Sequence, residues 1–396
     1  MALFGKLAIA ASTAGTDDVR FFAGFARTIG RVGPVNVYGV PHAGVLVYNH
    51  GPLTGIMLYV CDRLWSHGAF FPLLIRLPAC LADLVTSLVV FELARERMDL
   101  RRARWCALAV ALSPVLVGVS GFHGNTDPVF VCFVLLSVWL LSSRRRAVSA
   151  GVCLGLALSI KIVPVVVVPV LLIAAYRQGR RSLAMFLAGF LAVLASLWGL
   201  PLLEYYQQVK ANVLDYAGSP DRRWGIPELA RWIGVPNAWL NWWVGPGHVS
   251  VVLVSSGLGS LLVWRRPKEV AAAAALALSA VLLFSTAGAD QYLAWPAAAV
   301  FLVDAWSACA YTLLAGVFVT ELYTRWSHSF PWGHGVLWDW ATARHWSHHE
   351  ILLAGLVWVA LAVNVLLGTR LAFARSTAVG RTPSAAPLHE SSVQVG

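Results

Sequence analysis

Long apolar runs follow one another almost without interruption, at 69–94, 105–119, 128–142, 148–160, 163–176, 182–202, 247–264, 270–287, 290–304, 307–323 and 351–369. The links between them are short and polar. The hydrocarbon core of a bilayer takes about 20 helical residues, so runs of this kind predict membrane-spanning helices. Together with a first apolar segment at 2–14 they predict an all-α polytopic membrane protein of about twelve transmembrane segments. One stretch has a different pattern. In "DDVRFFAGFARTIGRVG" (17–33), Phe22, Phe25 and Ile29 fall on one helical face and Arg20, Arg27 and Arg31 on another. That spacing predicts an amphipathic helix lying on the membrane. The following "VYGVPHAGVLVYNHGPL" (37–53) is dense in Gly and Pro and reads as an irregular loop.

Composition agrees with the pattern. Hydrophobic residues make up 58% of the 396, charged residues 12%, and mean hydropathy is +0.69, which excludes a string of soluble domains. The net charge of +11 would suggest nucleic acid in a soluble protein. Here 17 of the 30 Lys and Arg residues lie in "RERMDLRRAR" (95–104), "RRR" (144–146), "RQGRR" (177–181), "RRPK" (265–268) and the tail positions Arg370, Arg375 and Arg381. Under the positive-inside rule these links face the cytoplasm, and the basic balance reports topology, with no nucleic-acid partner. The loops 15–68, 203–246 and 325–350 then fall outside, and both termini inside. Residues 1–304, with outer loops 15–68 and 203–246, read as a catalytic transmembrane region. Residues 305–374 read as C-terminal helices around a Trp/His-rich loop, and 375–396 as a disordered cytoplasmic tail. The cysteines at 61, 80, 106, 132, 153 and 309 show neither metal-ligand nor disulfide spacing.

Polar residues inside such a chain are costly and tend to be functional. "SGFHGNTDPVF" (120–130) puts His123, Asn125 and Asp127 within five residues at an outer apex, between apolar arms. Lys161 marks a second apex. At about 1.5 Å per residue, arms of about 13 to 15 residues rise roughly 20 Å, which places both tips at lipid-phosphate depth. Lys161 either snorkels or holds a phosphate. Asp17 and Asp18 precede the amphipathic helix, where an Asp caps free N–H groups or serves as a general base. Arg76 and Asp83, seven residues apart, share a helical face and read as a buried pair or a helix–helix contact. His50 orients its loop or touches a ligand. Arg222 and Arg223 are adjacent guanidinium groups suited to a phosphate. "HWSHH" (345–349) is not read as a metal site, and no metal or other cofactor is expected.

The succession "DDVRFFAGFARTIGRVG…VYNHGPL", "RLPACLADL", "SPVLVGVSGFHGNTDPVF", "GLALSIKIVPVVVVPVLL" and "QYLAWP" resembles the C-type (GT-C) membrane glycosyltransferases, specifically the enzymes that use dolichyl- or polyprenyl-phosphate sugars. The resemblance covers roughly residues 15–300. It implies a sugar transferred, with inversion, from a polyprenyl-phosphate carrier to a hydroxyl of a glycan or lipid acceptor, at the outer face of the plasma (inner) membrane. An acid in the first outer loop acts as base, matched here by Asp18 with Asp17 beside it. Lys161, Arg222 and Arg223 would hold the donor phosphate, and His50, His123, Asn125, Asp127, Gln291 and Tyr292 the substrates. Where relatives read Asn-His-Pro-Pro-Leu, this chain has Asn49, His50, Gly51, Pro52 and Leu53, a change expected to loosen the loop. The first segment, 2–14 with Lys6 inside it, is short for a span, and a start site placed too late accounts for this better than a signal peptide. A transporter or lipid flippase is the competing class, with Arg76, Asp83 and Asp304 along a pathway. Against it, no sequence repeat is evident.

Overall fold

The computed structural model describes residues 1–41, 47–216, 224–285, 288–327, 330–332 and 346–374. Every element among them is helical. The longer helices are α1 (Ala2–Ser12), α2 (Asp17–Val32), α3 (Pro52–Ser66), α4 (Phe71–Ala94), α5 (Leu100–Ala111), α6 (Asp127–Ser142), α7 (Ala147–Ile160), α8 (Val168–Gln178), α9 (Arg180–Glu204), α10 (His248–Arg265), α11 (Val270–Leu283), α12 (Ala305–Trp326) and α13 (His348–Phe373). Among the described residues, six apolar stretches are long enough to cross a membrane: α4, Leu100–His123, α9, α10, α12 and α13. Five shorter apolar helices accompany them. The all-α membrane architecture is therefore borne out.

Burial follows composition. α11, "VAAAAALALSAVLL", is apolar all round, and every one of its residues is buried. Its small side chains let α10, α13 and α6 approach closely, which is how helices pack where water supplies no driving force. α9 is also apolar along its span but little buried, so its surface is left for lipid.

Four expectations change. The arm leading into the 120–130 apex is not short: Leu100–His123 runs 24 residues and ends in a π-helix, Val117–His123. The other arms of the two hairpins remain short, with 16 residues in α6, 14 in α7 and a helical run at Val163–Gln178. Residues 290–304 form three short helical pieces, Asp290–Leu293, Ala294–Ala297 and Ala299–Leu302, not one crossing helix. Within the stretch, Pro296 cannot donate to a continuous ladder.

The segment 15–68, read as the first outer loop, holds a second helix, α3, where none was expected. It covers the apolar face of α2, burying Phe22, Phe25 and Ile29 with Val37, Tyr38, Tyr48 and Leu58. The exposed apolar stripe belongs to α3 instead, at Ile56, Val60 and Leu64.

Finally, Arg76 and Asp83 do not pair. Asp83 Oδ2 accepts from Lys6 Nζ at 2.5 Å, both groups buried, which ties α1 to α4. Asp304, the third residue named for the competing transport pathway, caps α12 by accepting from the Ser307 amide at 2.8 Å.

Candidate active site

The π-helix closes on Gly124, whose φ of 88° lies in the left-handed region. A Cβ there would stand 2.5 Å from the Val19 side chain, so glycine lets α2 dock on the turn. Arg76 brackets the same turn from beneath. Fully buried, it donates to Thr13 Oγ1 and Thr13 O at 2.7 Å each, to Gly121 O at 3.0 Å and to Pro72 O at 2.8 Å. It thereby joins the end of α1, α4 and the π-helix. Asn125 Oδ1 accepts from the Asp127 amide at 3.1 Å, which starts α6. The polar apex is thus a rigid corner, held before any ligand arrives.

The neighbouring acids Asp17 and Asp18 are sorted by the start of α2. Neither caps the helix: Thr16 does, accepting from the Asp18 amide at 3.3 Å while its hydroxyl donates to His123 O at 2.9 Å. Asp17 is buried and lies 3.6 Å from Arg20. Asp18 faces the corner, where its Oδ2 accepts from His123 Nε2 at 2.9 Å and from Asn125 Nδ2 at 2.9 Å. Both bonds fall on one oxygen, and Oδ1 is left without a hydrogen bond among the described residues. Burial pushes the Asp18 carboxyl upward, but the charge and hydrogen bond of His123, the Asn125 amide and the Lys161 ammonium outweigh it and hold it below its ordinary value. Asp18 is therefore an ionised carboxylate with one open oxygen.

Asp127 has no open oxygen. Completely buried, it accepts from Lys161 Nζ at 2.7 Å and from Trp295 Nε1 at 2.7 Å. Lys161, extended at the end of α7, also sits 4.8 Å from the Tyr292 ring centroid and 5.7 Å from that of Trp295, and the two rings stack at 4.4 Å. This is not a snorkelling lysine. Its ammonium is caged by one carboxylate and two aromatic faces, and a three-donor group with one strong acceptor keeps N–H groups to offer. The amide of Gln291 makes no side-chain hydrogen bond among the described residues.

His50 is walled in by Phe22, stacked at 5.0 Å, and by Phe25 and Tyr48 edge-on. Burial, helped by the charge of Lys161, drives its pKa down to about 3, so the ring stays neutral. Its ring packs the loop against α2. The change at Gly51 does not loosen that loop. The Gly51 amide donates to Ile160 O at 3.0 Å, and a Cβ would lie 2.3 Å from Ser159 O. Thr54 Oγ1 donates to Ile160 O as well, at 3.0 Å. The loop is therefore pinned to the residue preceding Lys161.

Two site residues escaped the sequence reading. His123 Nδ1 lies 2.9 Å from the Tyr323 hydroxyl and 3.2 Å from Asp290 Oδ2, so the imidazole is held on both sides. Asp290 directly precedes "QYLAWP" and, as an isolated acid ending an apolar run, was a findable signal. Tyr323 lies on α12, so a division at residue 304 does not separate the C-terminal helices from the site. Arg222 and Arg223 lie outside the described residues. In the run at 345–349, Ser347 and Glu350 form a capping box for α13, and Glu350 also pairs with Arg325. Among the described residues no three metal-ligating side chains converge, since Asp18 and Asp290 meet opposite nitrogens of His123.

Fold and site define a polytopic helical membrane protein carrying one open carboxylate and one caged ammonium in a preformed corner. The profile of glycosyltransferase family 87 matches residues 48–286, and the chain belongs to that family. The resemblance to membrane glycosyltransferases is borne out. The matched stretch includes His50, His123, Asn125, Asp127 and Lys161, while Asp18 precedes it. The chain is similar to GPI mannosyltransferase 1 of Saccharomyces cerevisiae, 24% identical over 195 residues that cover 41% of this chain and 48% of that protein. It is also similar to GPI mannosyltransferase 1 of Candida albicans, 23% identical over 129 residues, covering 32% of this chain and 31% of that one. The chain thus spans about half the length, or less, of these curated relatives. Among solved structures it is similar to ArnT from Cupriavidus metallidurans bound to undecaprenyl phosphate, at 13% identity and a TM-score of 0.49, covering 94% of this chain and 76% of that one.

Proposed function

We propose that the protein transfers a hexose, mannose in the first instance, from a polyprenyl-phosphate carrier to a hydroxyl of a glycan or lipid acceptor, with Asp18 as general base. The observation that carries this reading is the division of labour within the Asp18 carboxylate: Oδ2 is held by His123 and Asn125, and Oδ1 is open. The acceptor hydroxyl gives its proton to Oδ1 as its oxygen bonds to the anomeric carbon. The bond from that carbon to the phosphate oxygen breaks on the opposite face, and configuration inverts. The leaving group is a phosphate monoester, which needs cations near it and no proton donor. One carboxylate then suffices, in contrast to the acid and base pair of glycosidases. Lys161 supplies a positive charge at a fixed depth, with Arg222 and Arg223 assigned to the same phosphate. Similarity to the two fungal mannosyltransferases supports mannose as the sugar.

The extracytoplasmic placement is supported by charge. The Asp18–Lys161 corner lies at one end of the bundle, while Arg97, Arg102, Arg145 and Arg177 gather at the other, which the positive-inside rule assigns to the cytoplasm. The transport reading has no comparable support, because Arg76, Asp83 and Asp304 are each engaged in packing bonds. The test is purified protein in nanodiscs with acceptor, offered polyprenyl-phosphate mannose or the matching nucleotide sugar. Transfer from the lipid-linked donor alone is expected, and transfer from the nucleotide sugar alone would overturn the proposal.

A further inference from the structure

At the opposite end of the bundle from Asp18 lies a cleft of about 1180 Å³ that takes no part in the chemistry above. Its position follows from shared elements. Leu100–His123 carries Arg102 and Trp105 at the cleft and His123 at the site, and α6 runs from Asp127 at the site to Ser142 at the cleft. Two of the cleft's cations are already matched: Arg97 pairs with Glu269, and Arg102 with Asp99 at 3.3 Å. Three are not. Arg145, Arg177 and Lys268 line the cleft with no carboxylate partner among the described residues, and Arg177 only rests against the Trp264 ring at 5.6 Å. The contrast with a neighbour is direct, since Arg144 is met by both Glu92 and the Trp139 ring.

Arg145 is also the one non-glycine residue with positive φ, 55°, among the described residues. A backbone cost is thus borne where an unmatched guanidinium is presented to the cleft. Trp105 and Trp306, 62% and 86% exposed, line the same cleft. Indole rings at the end of a membrane bundle sit at headgroup level.

We infer that this cleft is a binding site for the phosphate headgroup of an anionic phospholipid, held by Arg145, Arg177 and Lys268 with its glycerol and upper acyl region against Trp105 and Trp306. Guanidinium forks match phosphate oxygens in pairs, and Lys268 adds a point charge. The site is separate from the sugar-transfer corner and does not depend on its assignment.

The test is lipid retention by native mass spectrometry, with full-length protein extracted from vesicles of phosphatidylglycerol and phosphatidylcholine. The wild type should retain phosphatidylglycerol selectively. The triple variant Arg145→Ala/Arg177→Ala/Lys268→Ala should lose that retention by about tenfold or more, as expected when several cations near the headgroup plane are removed. A control variant, Arg101→Ala/Arg104→Ala/Arg180→Ala, removes the same charge from positions that do not line the cleft and should keep it. Equal loss in both would reduce the effect to the general field of the basic end and overturn the site. Displacement of the lipid by inorganic phosphate would show a soluble ligand and overturn the lipid assignment. Should the triple variant fail to fold, Arg145→Gly relieves the positive φ and removes one fork. Reduced retention in Arg145→Gly supports the site, and unchanged retention contradicts it.

Discussion

Both bonds to the Asp18 carboxylate land on the same oxygen, and most of the proposed chemistry follows from that. A carboxylate so held stays ionised through the physiological range. Its folded value lies below the ordinary 3.8, so the stability it contributes is complete above that value and is lost as pH falls through the lower one. His50 obeys the same sign with a wider window. Its pKa falls from 6.5 to about 3 on folding, so its contribution is whole above 6.5 and drains away as pH drops toward 3. His50→Phe keeps the aromatic packing, removes the titration and deletes a buried Nδ1 that has no hydrogen-bond partner. At pH 5.5, one unit below the ordinary histidine value, the substitution should stabilise the fold by about 1.4 kcal/mol more than it does at pH 8. Thermal unfolding in detergent at the two pH values checks this. At this scale the sequence was informative wherever a polar residue stood in apolar surroundings: Asp18, His123, Asn125, Asp127 and Lys161 all meet in one corner. Tyr323 was invisible because it is 200 residues from the imidazole it touches and looks like any tyrosine near a helix end.

Among elements, the spans were legible because hydropathy belongs to each segment alone. α3 was not, because it directly follows the Gly- and Pro-rich loop and divides its apolar residues between two faces. Leu58 and Cys61 turn inward, while Ile56 and Val60 turn outward. Besides covering α2, it ties the His50 loop to the end of α7 through Thr54. Gly51→Pro tests this. Proline keeps the observed φ of −71° but removes the N–H that bonds Ile160 O and drives its ring toward Ser159 O. Ile160 O keeps its bond from the Thr54 hydroxyl, so the lost amide bond alone is worth about 0.5–1.5 kcal/mol, and the clash with Ser159 O adds to it. It should appear as a lower unfolding midpoint together with weakened activity, since the register of Lys161 depends on the same contact. Unchanged stability would contradict a role for the Gly51–Ile160 bond in seating the loop.

For the whole molecule, polarity is sorted to the two ends of the bundle: a preformed corner with one free carboxylate oxygen at one, a basic cleft at the other. Between them Arg76 and the Lys6–Asp83 pair act as fasteners rather than as a pathway. That sorting suits an enzyme drawing its substrates from one leaflet, and it makes the account depend on a single group. The most direct measurement compares initial rates of sugar transfer from polyprenyl-phosphate mannose in nanodiscs for wild type, Asp18→Asn and Asp17→Asn, each checked for an unchanged unfolding midpoint. Asp18→Asn should lose about 10²–10⁴-fold in turnover, the usual worth of a general base, because the amide keeps the shape and cannot take the proton. Asp17→Asn, whose side chain packs beside Arg20, should keep most of its rate. Near-normal turnover in Asp18→Asn, or a collapse in Asp17→Asn alone, would contradict the account.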